Sequence, residues 1–171
     1  MRIIVVSGIL LLYLILQPTY IQHIRMMGII PNFAVMIIVS FGLLRGSVEG
    51  AIIGFALGLL QDIFFGRAIG FYALIGMFIG YVCGIPNKKY YRENYILPFF
   101  LVILSTLAQG IITYIFTFLI RGRTSFLFFI QHIIFPEVVY TAALSLIVYR
   151  LIYSVNERVE AREKVRRKHF S

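Results

Sequence analysis

A chain of 171 residues in which 60% of the side chains are hydrophobic and 13% charged falls outside the range of water-soluble domains, which carry about 45–50% apolar and about 25% charged residues. With a mean hydropathy of +0.91 it requires a bilayer as solvent, and its length leaves room for one membrane domain and no separate soluble one. The net charge of +9 does not point to nucleic acid, because no nucleic-acid module fits between the apolar runs; the basic residues read as orientation signals and as a grip on anionic lipid.

The predicted fold class is all-α, a polytopic integral membrane protein with six transmembrane helices. Residues 1–155 form the membrane domain and residues 156–171 a basic cytoplasmic tail. The first span covers residues 3–19. Arg2 precedes it and no small-residue cleavage pattern follows, which argues against a removable signal peptide. The second span, 31–45, opens at Pro31, a residue suited to the first helical turn, where a missing donor costs nothing. It is short: fourteen or so apolar residues cover about 21 Å of a hydrocarbon layer about 30 Å thick. The third span, 49–65, is little longer, and the fourth, 69–85, ends at Pro86. The fifth, 95–120, is long enough to cross at a tilt. The apolar stretch that follows is too long for one untilted crossing and contains Pro136. That residue is placed in the first turn of the sixth span, 135–155, with Glu137 meeting the positive helix end. Residues 125–135 then lie along the interface or re-enter.

Orientation follows from the basic residues. With a cytoplasmic N-terminus, Arg2, Arg45, Lys88, Lys89, Arg92 and the seven from Arg150 to Lys168 face inward, while Arg25, Arg67, Arg121 and Arg123 face outward. Both termini are therefore expected in the cytoplasm. The tail alternates charge through Glu157, Arg158, Glu160, Arg162, Glu163 and Lys164, as the solvated end of a helix over lipid headgroups does. Docking of a cytoplasmic partner is the alternative use.

A ladder of small residues runs from the end of the second span through the fourth: Gly42, Gly46, Gly50, Gly54 and Gly58, then Asp62, then Gly66 and Gly70, and after a shift Gly76, Gly80 and Gly84. Apolar residues fill the intervals, so the ladder marks where helix backbones approach closely in a lipid-like medium. Because four residues turn a helix by about 400°, Gly50, Gly54 and Gly58 form a slanted groove on one face. It either buries a neighbouring helix of the same chain or receives a helix of another protein. Asp62 is an acid in an otherwise apolar stretch, which makes it a candidate site. It reads as a polar clamp that accepts hydrogen bonds from the next helix's N-terminus or pairs with Arg67, or else as a partner contact or ion site.

Catalysis finds no residues to support it. Ser40, Ser105 and Ser145 lack the surroundings of a membrane serine protease, and Asp62 has no second aspartate. His23, His132 and His169 lie far apart without a carboxylate or cysteine at ligand spacing, so no metal is expected. The glycines lack the Lys and Ser/Thr of a phosphate loop, so no nucleotide or other cofactor is expected. Cys83 has no disulfide partner and reads as a small packing residue.

Several stretches together resemble a family. Pro31-Asn32 opens a short helix; the run from Gly50 through Gly54 and Gly58 to Gln61-Asp62 follows, then Gly66, Ala68-Ile69-Gly70, Ile79-Gly80-Tyr81 and, later, Pro136-Glu137-Val138. This pattern is similar to that of the bacterial rod shape-determining proteins of the MreD family, over nearly the whole chain. Ser145 stands where members often carry Asn. The resemblance implies a non-enzymatic subunit of the cell-elongation machinery in the cytoplasmic membrane. Its implied partners are MreC, with its single transmembrane helix, a RodA-type glycosyltransferase, a class B penicillin-binding protein and, less directly, MreB filaments; homo-oligomerisation stays open. It also implies a fold like the substrate-binding components of ECF-type vitamin transporters, and uptake of a small molecule is accordingly the alternative function. On the leading reading, the groove at Gly50, Gly54 and Gly58 and the face of spans three and four, with Gly70, Gly76 and Gly80, dock MreC's helix, and Asp62 and Arg67 set the register.

Overall fold

The computed structural model describes residues 8, 9, 11, 13, 30–65, 69–86, 96–116 and 126–169, and every regular element among them is helical. In chain order these are α1 (Phe33–Arg45), α2 (Ser47–Phe65), α3 (Phe71–Gly84), α4 (Ile96–Tyr114), the single turn α5 (Phe126–Phe129), a π-helical turn (Ile130–Ile134) and α6 (Phe135–His169). Before α1, residues Gly8, Ile9, Leu11 and Tyr13 are helical, and Tyr13 is buried in the core. The rest of the expected first span lies outside the described residues.

α1 is the hub. Every residue from Ala34 to Leu44 is buried, because α2, α3, α4 and α6 all pack on it. Its 13 residues measure about 20 Å, less than the hydrocarbon thickness. The mismatch is tolerable because protein, rather than lipid, surrounds the helix. The core it anchors is aliphatic and aromatic: Val35, Met36, Val39, Phe41, Leu44, Leu57, Val102 and Tyr149 are all at most 1% exposed.

One residue, Gly46, separates α1 from α2. Its φ of 99° and ψ of 177° lie in a region reached only by glycine, and its N–H closes the last turn of α1 on the Gly42 carbonyl at 2.8 Å. α2 and α3 form the most extensive pair in the bundle.

Among the described residues three helices, Ser47–Phe64, Ile96–Tyr114 and Ile130–Arg158, are long and apolar enough to cross a membrane, and Phe33–Arg45 and Phe71–Gly84 are shorter apolar helices. The sequence places a helix start at Pro136 and leaves residues 125–135 along the interface or re-entrant. Here the chain is helical from Phe126 onward, and only the π-helical turn interrupts the α ladder. The Phe135 N–H reaches back to the Ile130 carbonyl, so the wider turn falls just ahead of Pro136, whose missing donor would break a normal ladder. Pro136 and Glu137 thus stand in the first turn of α6, where the sequence places them, directly after the π-helical turn. At the other end α6 continues to His169, so the charged tail carries on the helical path of the last span.

Candidate functional site

The glycine ladder is used inside the chain. A Cβ at Gly50 would come within 2.5 Å of the Gly80 carbonyl oxygen; at Gly54 it would fall on the carbonyl oxygen of Gly76, and at Gly58 on that of Tyr72. The relation is reciprocal, since Cβ atoms at Gly76 and Gly80 would meet the carbonyl oxygens of Gly54 and Gly50. Each step of one turn along α2 is thus matched by a step back along α3, as antiparallel helices in backbone contact require. The groove is therefore filled by α3 of the same chain. Of the two uses the sequence leaves open for this groove, burial of a neighbouring helix of the same chain is the one seen at Gly50, Gly54 and Gly58.

Asp62 completes the hairpin. Its side chain is 2% exposed. Oδ2 accepts from the backbone N–H of Gly70 at 2.9 Å and of Ala73 at 3.0 Å, and Oδ1 from Tyr72 at 2.9 Å. A helix start leaves its first N–H groups without intrahelical partners, and Gly70, the N-cap of α3 with a φ of 101°, has no side chain to offer them. Asp62 supplies the missing cap from the preceding helix, where its charge also meets the positive end of the α3 dipole. Arg67, the alternative partner expected for Asp62, lies outside the described residues, as does Gly66.

A second polar group pins the start of α1 to α6. Asn32 caps α1 by accepting from the Val35 N–H at 3.2 Å; its own N–H donates to Thr141 Oγ1 at 3.1 Å and its Nδ2 to Glu137 Oε1 at 3.4 Å. Pro31, expected in the first helical turn, stands one residue before this cap and is buried. Tyr72 at the head of α3 bonds through its side chain to Thr113 of α4, with Glu137 and Asp62 in electrostatic reach. One end of the bundle thus gathers Asn32, Asp62, Tyr72, Thr113, Glu137 and Thr141.

The opposite end is held by Arg45, a residue for which the sequence suggests only an orientation role. Its Nε donates to Asn156 Oδ1 at 2.9 Å and its NH1 group lies 3.4 Å from Glu49 Oε2, while the guanidinium sits 5.3 Å from the Phe41 ring centre. From Asn32 to Arg45 and from Thr141 to Asn156 the helix axes advance by about 20 Å and 22 Å, so two pins of matched spacing hold α1 and α6 parallel. An Asn156→Ala variant leaves a buried guanidinium short of an acceptor and is expected to lose about 2 kcal/mol. Thermal unfolding in detergent reads this loss, and a Tm equal to wild type would refute the pin.

Among the described residues no three His, Cys, Asp or Glu side chains are grouped to hold a metal ion. His132 is exposed, with Nδ1 3.2 Å from the Phe128 carbonyl oxygen. Cys83 is buried, its sulfur 3.4 Å from Ser105 Oγ. Glu49, Asn156 and Thr141 carry no motif of their own. The signal available for them was a polar residue at the end of an apolar run.

Neither a curated protein nor a solved structure matches the chain. A family model described as rod shape-determining protein MreD matches residues 1–158. That match spans the helices, the glycine ladder, Asp62 and both pins of α1, so the chain belongs to the MreD family of rod shape-determining membrane proteins.

Proposed function

We propose that this chain is a non-enzymatic scaffold of the bacterial rod complex, crossing the cytoplasmic membrane six times with both termini in the cytoplasm. It binds the transmembrane helix of MreC and so supports the regulation of peptidoglycan synthesis by a RodA-type glycosyltransferase and a class B penicillin-binding protein. MreB filaments connect to it indirectly. The observation that carries this reading is the α2–α3 hairpin, rigid through backbone contact and presenting unbroken apolar outer faces. Val48, Ile52 and Phe55 of α2 and Leu74, Phe78 and Tyr81 of α3 are all exposed. A rigid apolar face favours helix binding because little conformational freedom is lost on association. Asp62 and the glycines act indirectly, by holding that face in shape. The transporter alternative has no comparable support, since Asp62 is occupied with the α3 amides and Glu137 with Asn32.

The test is co-purification with MreC. The wild-type chain should bring MreC down, and a Phe78→Ala/Tyr81→Ala variant should do so about tenfold less, as expected for removing two aromatic anchors, with its own Tm unchanged. Undiminished recovery of MreC would show that this face is not the one used, and no recovery with wild type would overturn the scaffold reading.

A further inference from the structure

Arg150 stands inside the apolar span Ile130–Arg158 and is exposed on α6. It lies about 9 Å of helix axis short of Asn156, where Arg45 and Glu49 gather at the end of the bundle. Those groups meet one another, whereas Arg150 opens onto a shallow groove along the outer face of α6 lined by Leu146, Ile147, Arg150, Leu151 and Ser154.

The chemistry of the occupant follows from the order of these residues. A guanidinium at membrane depth is costly unless it is paired or led out to the headgroups. In α6 the Cα–Cβ bonds tilt toward the N-terminus, away from the nearer membrane surface, so the Arg150 stem starts in the wrong direction for snorkelling. Ser154, one turn closer to that surface, adds a hydroxyl to the same wall, and Leu146 and Ile147 below are purely apolar. The site is thus cationic and hydrogen-bonding above and apolar beneath, which is the pattern of an amphiphile with an anionic head. A partner helix fits less well, because close helix approach needs small residues and Ser154 is the only one between 146 and 154.

We propose that this groove binds one anionic phospholipid. Its phosphate oxygens lie between the Arg150 guanidinium, whose planar fork suits phosphate, and the Ser154 hydroxyl, and an acyl chain runs along Leu146, Ile147 and Leu151. The proposal is independent of the rod-complex reading.

Native mass spectrometry of the full chain, offered equal amounts of phosphatidylglycerol and phosphatidylcholine in detergent, tests it. Wild type should retain phosphatidylglycerol in preference. Arg150→Leu should lower that preference about tenfold, as loss of a charge-assisted hydrogen bond does, and Ser154→Leu, which keeps the charge but fills the groove, should also lower it. Arg158→Leu, an equal change of charge near the end of the span, should leave it intact, and excess inorganic phosphate should not displace the lipid. An unchanged preference in Arg150→Leu, or displacement by inorganic phosphate, overturns the proposal. Loss of a co-purifying membrane protein with the lipid ratio unchanged would overturn it in favour of a protein carboxylate at Arg150.

Discussion

Replacing Gly54 with leucine is expected to disrupt the membrane domain itself, and not merely to release a partner. A Cβ there lands on the Gly76 carbonyl oxygen, 2.6 Å from its carbon and 3.1 Å from the Met77 nitrogen. These are backbone atoms of a packed helix and cannot swing aside. Overpacking that side chains can absorb costs about 1–3 kcal/mol; here α2 and α3 must separate, so a loss of about 3 kcal/mol or more is expected. The damage spreads further because α1 packs on both helices, with Ile38 Cδ1 only 3.3 Å from where a Cβ at Gly76 would sit. Phe55→Leu, on the outer face of the same helix, should change stability by no more than about 0.5 kcal/mol. Parallel Tm measurements in detergent decide the matter, and a Gly54→Leu protein melting with the Phe55→Leu control would contradict the backbone contact.

Asp62→Ala carries the second large effect. It strips the α3 N-terminus of its acceptors and leaves the N–H groups of Gly70, Tyr72 and Ala73 without partners, that of Ala73 buried and the other two half-buried. Each unsatisfied buried donor costs about 1–3 kcal/mol, so a total of about 3–5 kcal/mol is expected even if some of the groups find water. Asp62→Asn retains one acceptor oxygen and should lose roughly half as much, because the amide accepts on one side only and no longer meets the helix dipole with a full charge. The order wild type, Asn, Ala in Tm is the expected signature. If Asn and Ala were equally harmless, the cap would hold nothing together.

The α2–α3 contact was largely legible, because small residues every four positions in an apolar run have few physical uses other than close helix approach. Sequence alone left open whose helix fills the groove, since Gly54 meets Gly76 through a turn whose geometry no local pattern encodes. Asp62 was readable as a polar anomaly, with the helix-start amides among its possible partners. The pins of α1 were not readable. Asn32 with Thr141 and Arg45 with Asn156 are pairs more than 100 residues apart, and a single polar residue at the end of a span looks the same whether it faces headgroups or another helix. The start of α6 at Pro136 was legible from the proline itself, but the π-helical turn that joins it to the helical residues before it was not, because no local sequence pattern encodes a wider turn.

Small residues drawn inward at the hairpin leave large ones outward. Gly50, Gly54, Gly76 and Gly80 are buried, while Ile52, Phe55, Phe78 and Tyr81 are exposed. The same pair of helices thus has two distinct faces, one building the hairpin and the other apolar and exposed.

A disulfide-crosslinking scan measures that separation directly. Single cysteines along α2, in a Cys83→Ala background, are oxidised against a cysteine in the transmembrane helix of MreC in native membranes. Adducts are expected at Val48, Ile52 and Phe55 on the outer face and none at Ile53 or Leu57, which face the bundle. Adducts at Ile53 and Leu57 instead would place MreC inside the present core and would contradict the account.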